Sequence, residues 1–433
     1  MTDNVQARLR AYARLLVHAG VNLAEGQELL VQAQHEHAPL VRAIAEEAYA
    51  AGARFVDVAY ADRSVHRAFV ATAPDEMLGW TPPWMVQRLE RAIDVGAAVI
   101  GISADSGAEV FEGVDGDRLA RARFRDFDLT WMDGVMGRQL AWSLVAYPTE
   151  GWAREALGEP PGSLRSPDEP ARLERLWDAF AHALRLDAPD PAAAWTQRLD
   201  ELEARARELT ARAFTALRYR GPGTALEVGL IEGARWLAGR ERTVHGQVHA
   251  PNLPTEEVFT SPHRSRADGT VRSTMPLALR GTIVEGLELR VAGGEIVEAR
   301  ARRGEDVLHA ELATDDGARR FGEVALVDAS SRVGETGVTF NNTLFDRTPP
   351  RTSPGGAPSR GRSTTFQPTS TQPPASTSPP RTPTSWSAHP TSRSTGWRLG
   401  APRWRCCAVG CGSCRRPRGA AALCGQLLIE GRE

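Results

Sequence analysis

The sequence predicts an α/β N-terminal domain over residues 1–216, an α+β C-terminal domain over 217–346, and a disordered tail over 347–433. Three observations carry this division. Helical and strand-like apolar patterns alternate from Val5 to Tyr147, strands and tight turns take over after Leu217, and hydrophobic periodicity vanishes after Asp346. Strands separated by helices imply a mostly parallel sheet with right-handed crossovers.

Val5, Leu9, Tyr12 and Leu16 recur at helical spacing, with Gly20 where a C-cap belongs. Glu28 to Ala33 then reads as a strand, Pro39 to Ala51 as a helix stopped by Gly52, and Phe55 to Tyr60 as a second strand. Trp84 to Val95 is helical, Ala98 to Ile102 is a third strand, and Trp142 to Tyr147 is a fourth. Trp80, Trp84 and Trp131 are expected to pack between helices. From Asp168 to Ala216 the pattern is long, charged and helical. Leu173, Leu176, Phe180 and Leu184 form one apolar stripe, and Leu199, Leu202, Ala206 and Leu209 form another, so this stretch is expected to bridge the domains or pack across them.

In the second domain, Leu287 to Arg302 alternates around Gly293-Gly294, a hairpin signal. Thr314 is the expected N-cap of a short helix with Asp315 and Asp316 in its first turn. Glu323 to Val327 is a short buried strand. The tail is dominated by Thr, Ser, Pro, Arg and Gly, and cannot bury enough apolar area to offset the entropy of ordering it.

Charge divides the chain at the same place. Residues 347–433 hold 13 Arg against two acids, whereas residues 1–346 hold 39 Arg against 52 acids, a charge of −13. Such a body is a poor general binder of nucleic acid. No apolar run reaches the roughly 20 residues needed to span a bilayer, and Met1 to Leu16 has an amphipathic pattern rather than that of a signal peptide. All five cysteines (Cys406, Cys407, Cys411, Cys414, Cys424) lie in the tail, so the body reads as a cytoplasmic, disulfide-independent protein without membrane partners. Cys407, Cys411 and Cys414 resemble the cluster loop of radical-SAM enzymes in spacing, and Cys406 or Cys424 could instead complete a zinc site.

Carboxylates are the other candidates for chemistry. Glu256 and Glu257 sit in HAPNLPTEEVFTSPHRS, flanked by His249 and His263, where a Pro-bounded loop enters a Val-Phe run and turns one glutamate inward and its neighbour outward. Glu323 opens the GEVALV strand. Taken singly these are surface acids; taken together they are hard oxygen ligands for a divalent cation. His245, His249 and His263 are either solvated or support such ligands from behind.

The phrases GTALEVGLIEGARWLAG, NLPTEEVFTSPH, VRSTMPLALRGTIVEGLELR, DDGARRFGEVALV and NNTLFD, in that order, resemble the thermophilic metallo-aminopeptidase family (aminopeptidase T and PepS-like enzymes). The resemblance covers Met1 to Asp346. It implies an N-terminal α/β domain, a C-terminal catalytic domain, a homodimer, peptide substrates and two divalent metal ions (Zn, Co, Mn or Mg). By motif match it makes Glu257 and Glu323 metal ligands, with Glu323 also the candidate for a catalytic role. The family continues after LFD as ENAASH and later carries H-T-D-F, which supply further ligands.

This sequence departs there, continuing as Arg347-Thr348-Pro349-Pro350-Arg351. Joining the third base of each codon to the first two of the next lets Arg347 to Gly356 be read as NAASHIAWG. Arg381 to Trp397 is likewise read as HTDFMVGAPDVEVDGV. The methionine needs the ATG formed across Ser385 and Trp386, and tryptophan has a single codon. The tail is therefore expected to be an out-of-frame translation, its cysteines products of frame. Such a chain retains Glu257 and Glu323 but is an impaired or inactive aminopeptidase. The alternative is a non-enzymatic peptide-binding or assembly remnant of the same fold.

Overall fold

The computed structural model describes residues 3–103, 110–111, 113–158, 169–279, 282–313, 315–327, 331–342, 344–346, 362–368 and 427–431. The first half alternates as its periodicity dictates: α1 (Asp3–Leu15), β1 (Glu28–Gln34), α2 (Ala38–Ala50), β2 (Phe55–Ala61), α3 (Arg63–Thr72), α4 (Pro83–Asp94), β3 (Ala98–Ser103), α5 (Gly116–Arg121), α6 (Arg125–Met136) and β4 (Ala141–Ala146). The four strands form one sheet in the order β2-β1-β3-β4, with every pairing parallel. Alternate residues of β1 serve opposite faces. Leu29 and Val31 pack with Tyr12, Leu16, Leu40 and Ile44, whereas Leu30 packs with Leu89, Val99 and Leu140. Both faces are thus covered, as a parallel sheet requires. Local signals start its helices. Pro39 stands in the first turn of α2, and the Asp62 carboxylate accepts the Ser64 and Val65 amides at 2.8 and 3.2 Å to cap α3.

The charged stretch that follows forms α7 (Glu150–Leu157), α8 (Glu169–Ala183) and α9 (Pro191–Ala211). Helix α9 serves both of the main cores. Trp195 and Leu199 belong to the first, while Leu202 and Ala206 belong to the second. The packing across both halves expected of this segment is realised in that one helix.

Beyond it come β5 (Ala216–Gly221), β6 (Thr224–Leu230), β7 (Glu241–Arg242), β8 (Val248–His249), β9 (Glu257–Thr260), β10 (Pro262–Arg272), β11 (Leu277–Leu279), β12 (Thr282–Val284), β13 (Glu288–Ala292), β14 (Glu295–Arg300), α10 (Glu305–Leu312), β15 (Phe321–Val327) and α11 (Arg332–Glu335). An antiparallel sheet runs β14-β13-β10-β6-β5. The hairpin at Gly293-Gly294 has φ of +55° and +80°, the left-handed pair that a two-residue turn demands. A side chain at Gly294 would also collide with the chain, its Cβ lying 2.1 Å from the Arg264 carbonyl oxygen.

Three expectations need correcting. The short helix expected from Thr314 is absent from the described residues after it. The Asp315 carboxylate accepts the Gly317 and Ala318 amides at 2.8 Å each, closing a turn that competes with helix, and the helix is upstream as α10. Trp80 and Trp84 do not pack between helices; they are 45 % and 61 % exposed and meet each other edge-on with centroids 5.8 Å apart. Trp131 does pack inside, against Trp142 at 5.7 Å. Finally, within the tail expected to be disordered, Arg362–Pro368 (β16) and Leu427–Gly431 (β17) are strands, extending a sheet ordered β17-β16-β15-β9. Without β16 the edge of β15 would present unpaired amides and carbonyls, which template strand addition from any segment able to extend. The tail cysteines, and the two stretches read in the alternative frame, lie outside the described residues.

The segment ending at Asp346 returns to the first core. Phe340 and Phe345 stack 4.6 Å apart and meet Trp152, whose indole N–H donates to the Phe340 carbonyl at 2.5 Å. The Asp346 carboxylate accepts the Phe340 and Asn342 amides at 2.8 and 2.9 Å. Burial pushes its pKa up to about 7, with these two bonds and one from Asn341 opposing the shift. Phe345→Ala removes a fully buried ring from this contact and is expected to cost about 3–5 kcal/mol. Denaturant unfolding checks this, and a cost under about 1 kcal/mol would show that the segment is not part of the core.

Candidate metal centre

Glu257 begins β9 and Glu323 lies near the start of β15. The two strands pair antiparallel, with Glu257 opposite Val327 and Thr260 opposite Val324. Glu323 is an even number of residues from Val327, so both carboxylates project from the same face of the pair. The other face carries Val258 and Val324, which belong to the second core. The structure therefore brings the two glutamates onto one side of one strand pair, at opposite ends of it, with apolar side chains closing the back.

Glu257 is buried. Glu323 is half-buried as a residue, but its Oε1 is fully enclosed and has no hydrogen-bond partner. Burial pushes the Glu323 pKa up to about 7. An enclosed carboxylate oxygen with nothing donating to it is costly unless a proton or a cation meets it. That arrangement fits a hard divalent cation.

Glu256 has a different role. Its carboxylate receives Arg185 Nη1 at 2.8 Å and Arg198 Nε at 2.6 Å. Both arginines are nearly enclosed, with 12 % and 8 % of their side chains exposed, and the Arg185 guanidinium lies 4.6 Å from the centroid of the Trp195 ring. Neighbouring residues along an extended chain point to opposite sides, so of the Glu-Glu pair one is consumed by arginine and the other faces the side that Glu323 shares. The arginine partners escaped sequence reasoning. Their signal was present, because Arg198 stands on the buried stripe of α9 beside Leu199 and one turn from Trp195 and Leu202, a place where an arginine needs a buried acid.

The histidines considered as supports do not turn toward the glutamates in the hydrogen bonds they make. His249 Nδ1 lies 2.8 Å from the Trp142 carbonyl oxygen and 3.2 Å from its amide, holding β8 to β4. His263 Nδ1 accepts the Ser265 amide at 3.2 Å, and His245 is exposed. Asp315 is spent on its turn. Among the described residues, no group of three or more His, Cys, Asp or Glu side chains is arranged to hold a metal ion.

The family profile described as "Thermophilic metalloprotease (M29)" matches residues 5–352. The chain belongs to that family. Aminopeptidase T of Thermus thermophilus is 41 % identical over 346 residues, spanning 79 % of this chain and 83 % of the relative. Aminopeptidase 2 of Geobacillus stearothermophilus is 37 % identical over 343 residues, spanning 79 % and 81 %. Aminopeptidase PepS of Streptococcus thermophilus is 34 % identical over 349 residues, spanning 79 % and 82 %. The solved structure of wild-type AmpT from Thermus thermophilus superposes with a TM-score of 0.72 at 38 % identity, covering 83 % of this chain and 85 % of that one. The mixed architecture, parallel sheet and antiparallel sheets together, is therefore shared with a solved family member. Its relatives in this thermophilic metalloprotease family are named aminopeptidases, which are peptide-bond hydrolases.

In this family member His249 also offers a titration handle. Burial lowers its pKa from 6.5 to about 4, opposed by the contact with Trp142. Between those values the unfolded chain holds the extra proton, so the stability contribution is complete above about pH 6.5 and is lost as pH falls toward 4. At most about 3 kcal/mol is at stake. Urea unfolding at pH 7 and pH 5 should give a lower midpoint at pH 5, with a visibly shallower dependence in His249→Gln. Equal slopes for the two proteins would remove His249 as the cause.

Proposed function

We propose that this chain carries the scaffold of a metal-dependent aminopeptidase that releases N-terminal residues from peptides, and that its reading frame departs from that enzyme after Asp346. The supporting observation is the shared face of β9 and β15, with Glu257 at one end and Glu323, its Oε1 enclosed without a donor, at the other. The family match, which ends at residue 352, agrees with a departure at that place. The division at 1–216, 217–346 and 347–433 belongs to the same reading, as do a homodimer and a cytoplasmic location. No helix among the described residues is long and apolar enough to cross a membrane.

Glu257 and Glu323 would each contribute carboxylate oxygens to a pair of divalent ions. A pair of divalent ions would need anionic ligands of this kind to offset their mutual repulsion. When bound, such ions polarise the scissile carbonyl and make a water acidic enough to attack it near neutral pH. The protein side holds the carboxylates in place. Val258 and Val324 exclude water from behind, and the burial that raises the Glu323 pKa to about 7 is a penalty that a bound cation would remove. The remaining ligands implied by the family, two histidines and an aspartate, are absent from the frame as written. Their absence from the written frame favours the second reading, a peptide-binding or assembly remnant without turnover.

Sequencing across the codon for Arg347, followed by assay of both frames on an aminoacyl-nitroanilide with Co²⁺ or Zn²⁺, separates these readings. The frame-restored chain is expected to turn over, and the chain as written to be slower by at least about 1000-fold. In the restored chain, Glu257→Gln and Glu323→Gln are each expected to lose at least about 100-fold. Turnover by the written chain comparable to that of the restored chain would overturn the proposal.

A further inference from the structure

Helix α9 grips the segment that leads into β9 at two places. Arg240 donates to Asp200 at 2.6 Å, to Glu203 at 3.2 Å and to the Thr196 carbonyl at 2.8 Å. Sixteen residues later in the chain, Glu256 receives Arg198 of the same helix and Arg185 of the turn before it. Next to these two points the backbone comes close enough that a Cβ at Gly239 would lie 2.4 Å from Thr255 Cγ2 and 2.9 Å from Leu199 Cδ2. The segment is thus fixed to the helix in position and in rotation about its own axis.

Rotation is what matters for Glu257. Neighbouring side chains on a strand point to opposite faces, so fixing Glu256 on the helix side sets where Glu257 points. A guanidinium delivers this constraint better than an ammonium, because its planar fork binds a carboxylate in one orientation. Arg198 has 8 % and Glu256 3 % of its side chain exposed, so water does not screen the pair as it does at the surface.

We infer that Arg198, assisted by Arg185, is a positioning residue for metal binding, acting through Glu256 to aim the Glu257 carboxylate at the cation. This rests on the reading of Glu257 as a metal ligand. The geometry separates the two glutamates of the pair into one that is held and one that holds.

The test follows Co²⁺ binding, by its visible d–d spectrum, and backbone protection together. In the full chain, Arg198→Met should raise the hydrogen-exchange rate of the Glu257 and Val258 amides at least about tenfold, an opening cost of about 1.4 kcal/mol. In the frame-restored chain, Arg198→Met should weaken Co²⁺ binding at least about tenfold and change the d–d spectrum, while Arg198→Lys recovers part of the affinity. Glu256→Gln should have the same effect, and it serves in place of Arg198→Met should the latter fail to fold. Weakened binding in Glu257→Gln with unchanged affinity and spectrum in the Arg198 and Glu256 variants would overturn the positioning role alone. Unchanged binding in Glu257→Gln as well would overturn the ligand assignment, and the inference with it.

Discussion

The pairing of Glu256 with Arg185 and Arg198 is the interaction on which the arrangement of the candidate centre depends. Burying a carboxylate and two guanidiniums gains little net stability, because the desolvation of each group nearly cancels their attraction. What such a pair supplies is specificity of geometry. It ties the start of β9 to α9, and α9 in turn is anchored in the first core by Trp195 and Leu199 and in the second by Leu202 and Ala206. The position of one carboxylate on one strand is thereby referred to the packing of both cores.

The β9–β15 pair divides its labour by face. One side supplies Val258 and Val324 to the second core; the other holds the acids. Glu323 shows the cost of that division, since its enclosed oxygen lacks a donor and its proton affinity rises accordingly. A fold that needed only stability would place an apolar residue or a hydrogen-bond donor there. Protein sites that bind hard cations accept this local penalty because the ion removes it.

Much of the architecture was legible in the sequence because burial and period coincide. Leu29, Leu30 and Val31 form a short run apolar on both sides, as a strand covered on both faces requires, and the two glycines of the β13–β14 hairpin specify their turn. Three features were not legible, each for a physical reason. Trp80 and Trp84 have the composition of core residues, but nothing in a one-dimensional pattern says whether a partner surface meets them. Asp315 offers the same side chain to a helix start and to a closed turn, and the local pattern does not distinguish the two. In the candidate centre, the Glu256-Glu257 pair was visible, but which glutamate is consumed by arginine depends on α9, far away in sequence. Arg198 on an otherwise apolar stripe was the available clue.

The aromatic closure formed by Trp152, Phe340 and Phe345 ends at Asp346. Among the described residues, every member of the first core precedes that aspartate. A change downstream therefore leaves the residues of this core in place. A chain altered only after Asp346 keeps every described residue of its first core, so such a change bears on the second half of the fold and not on this packing.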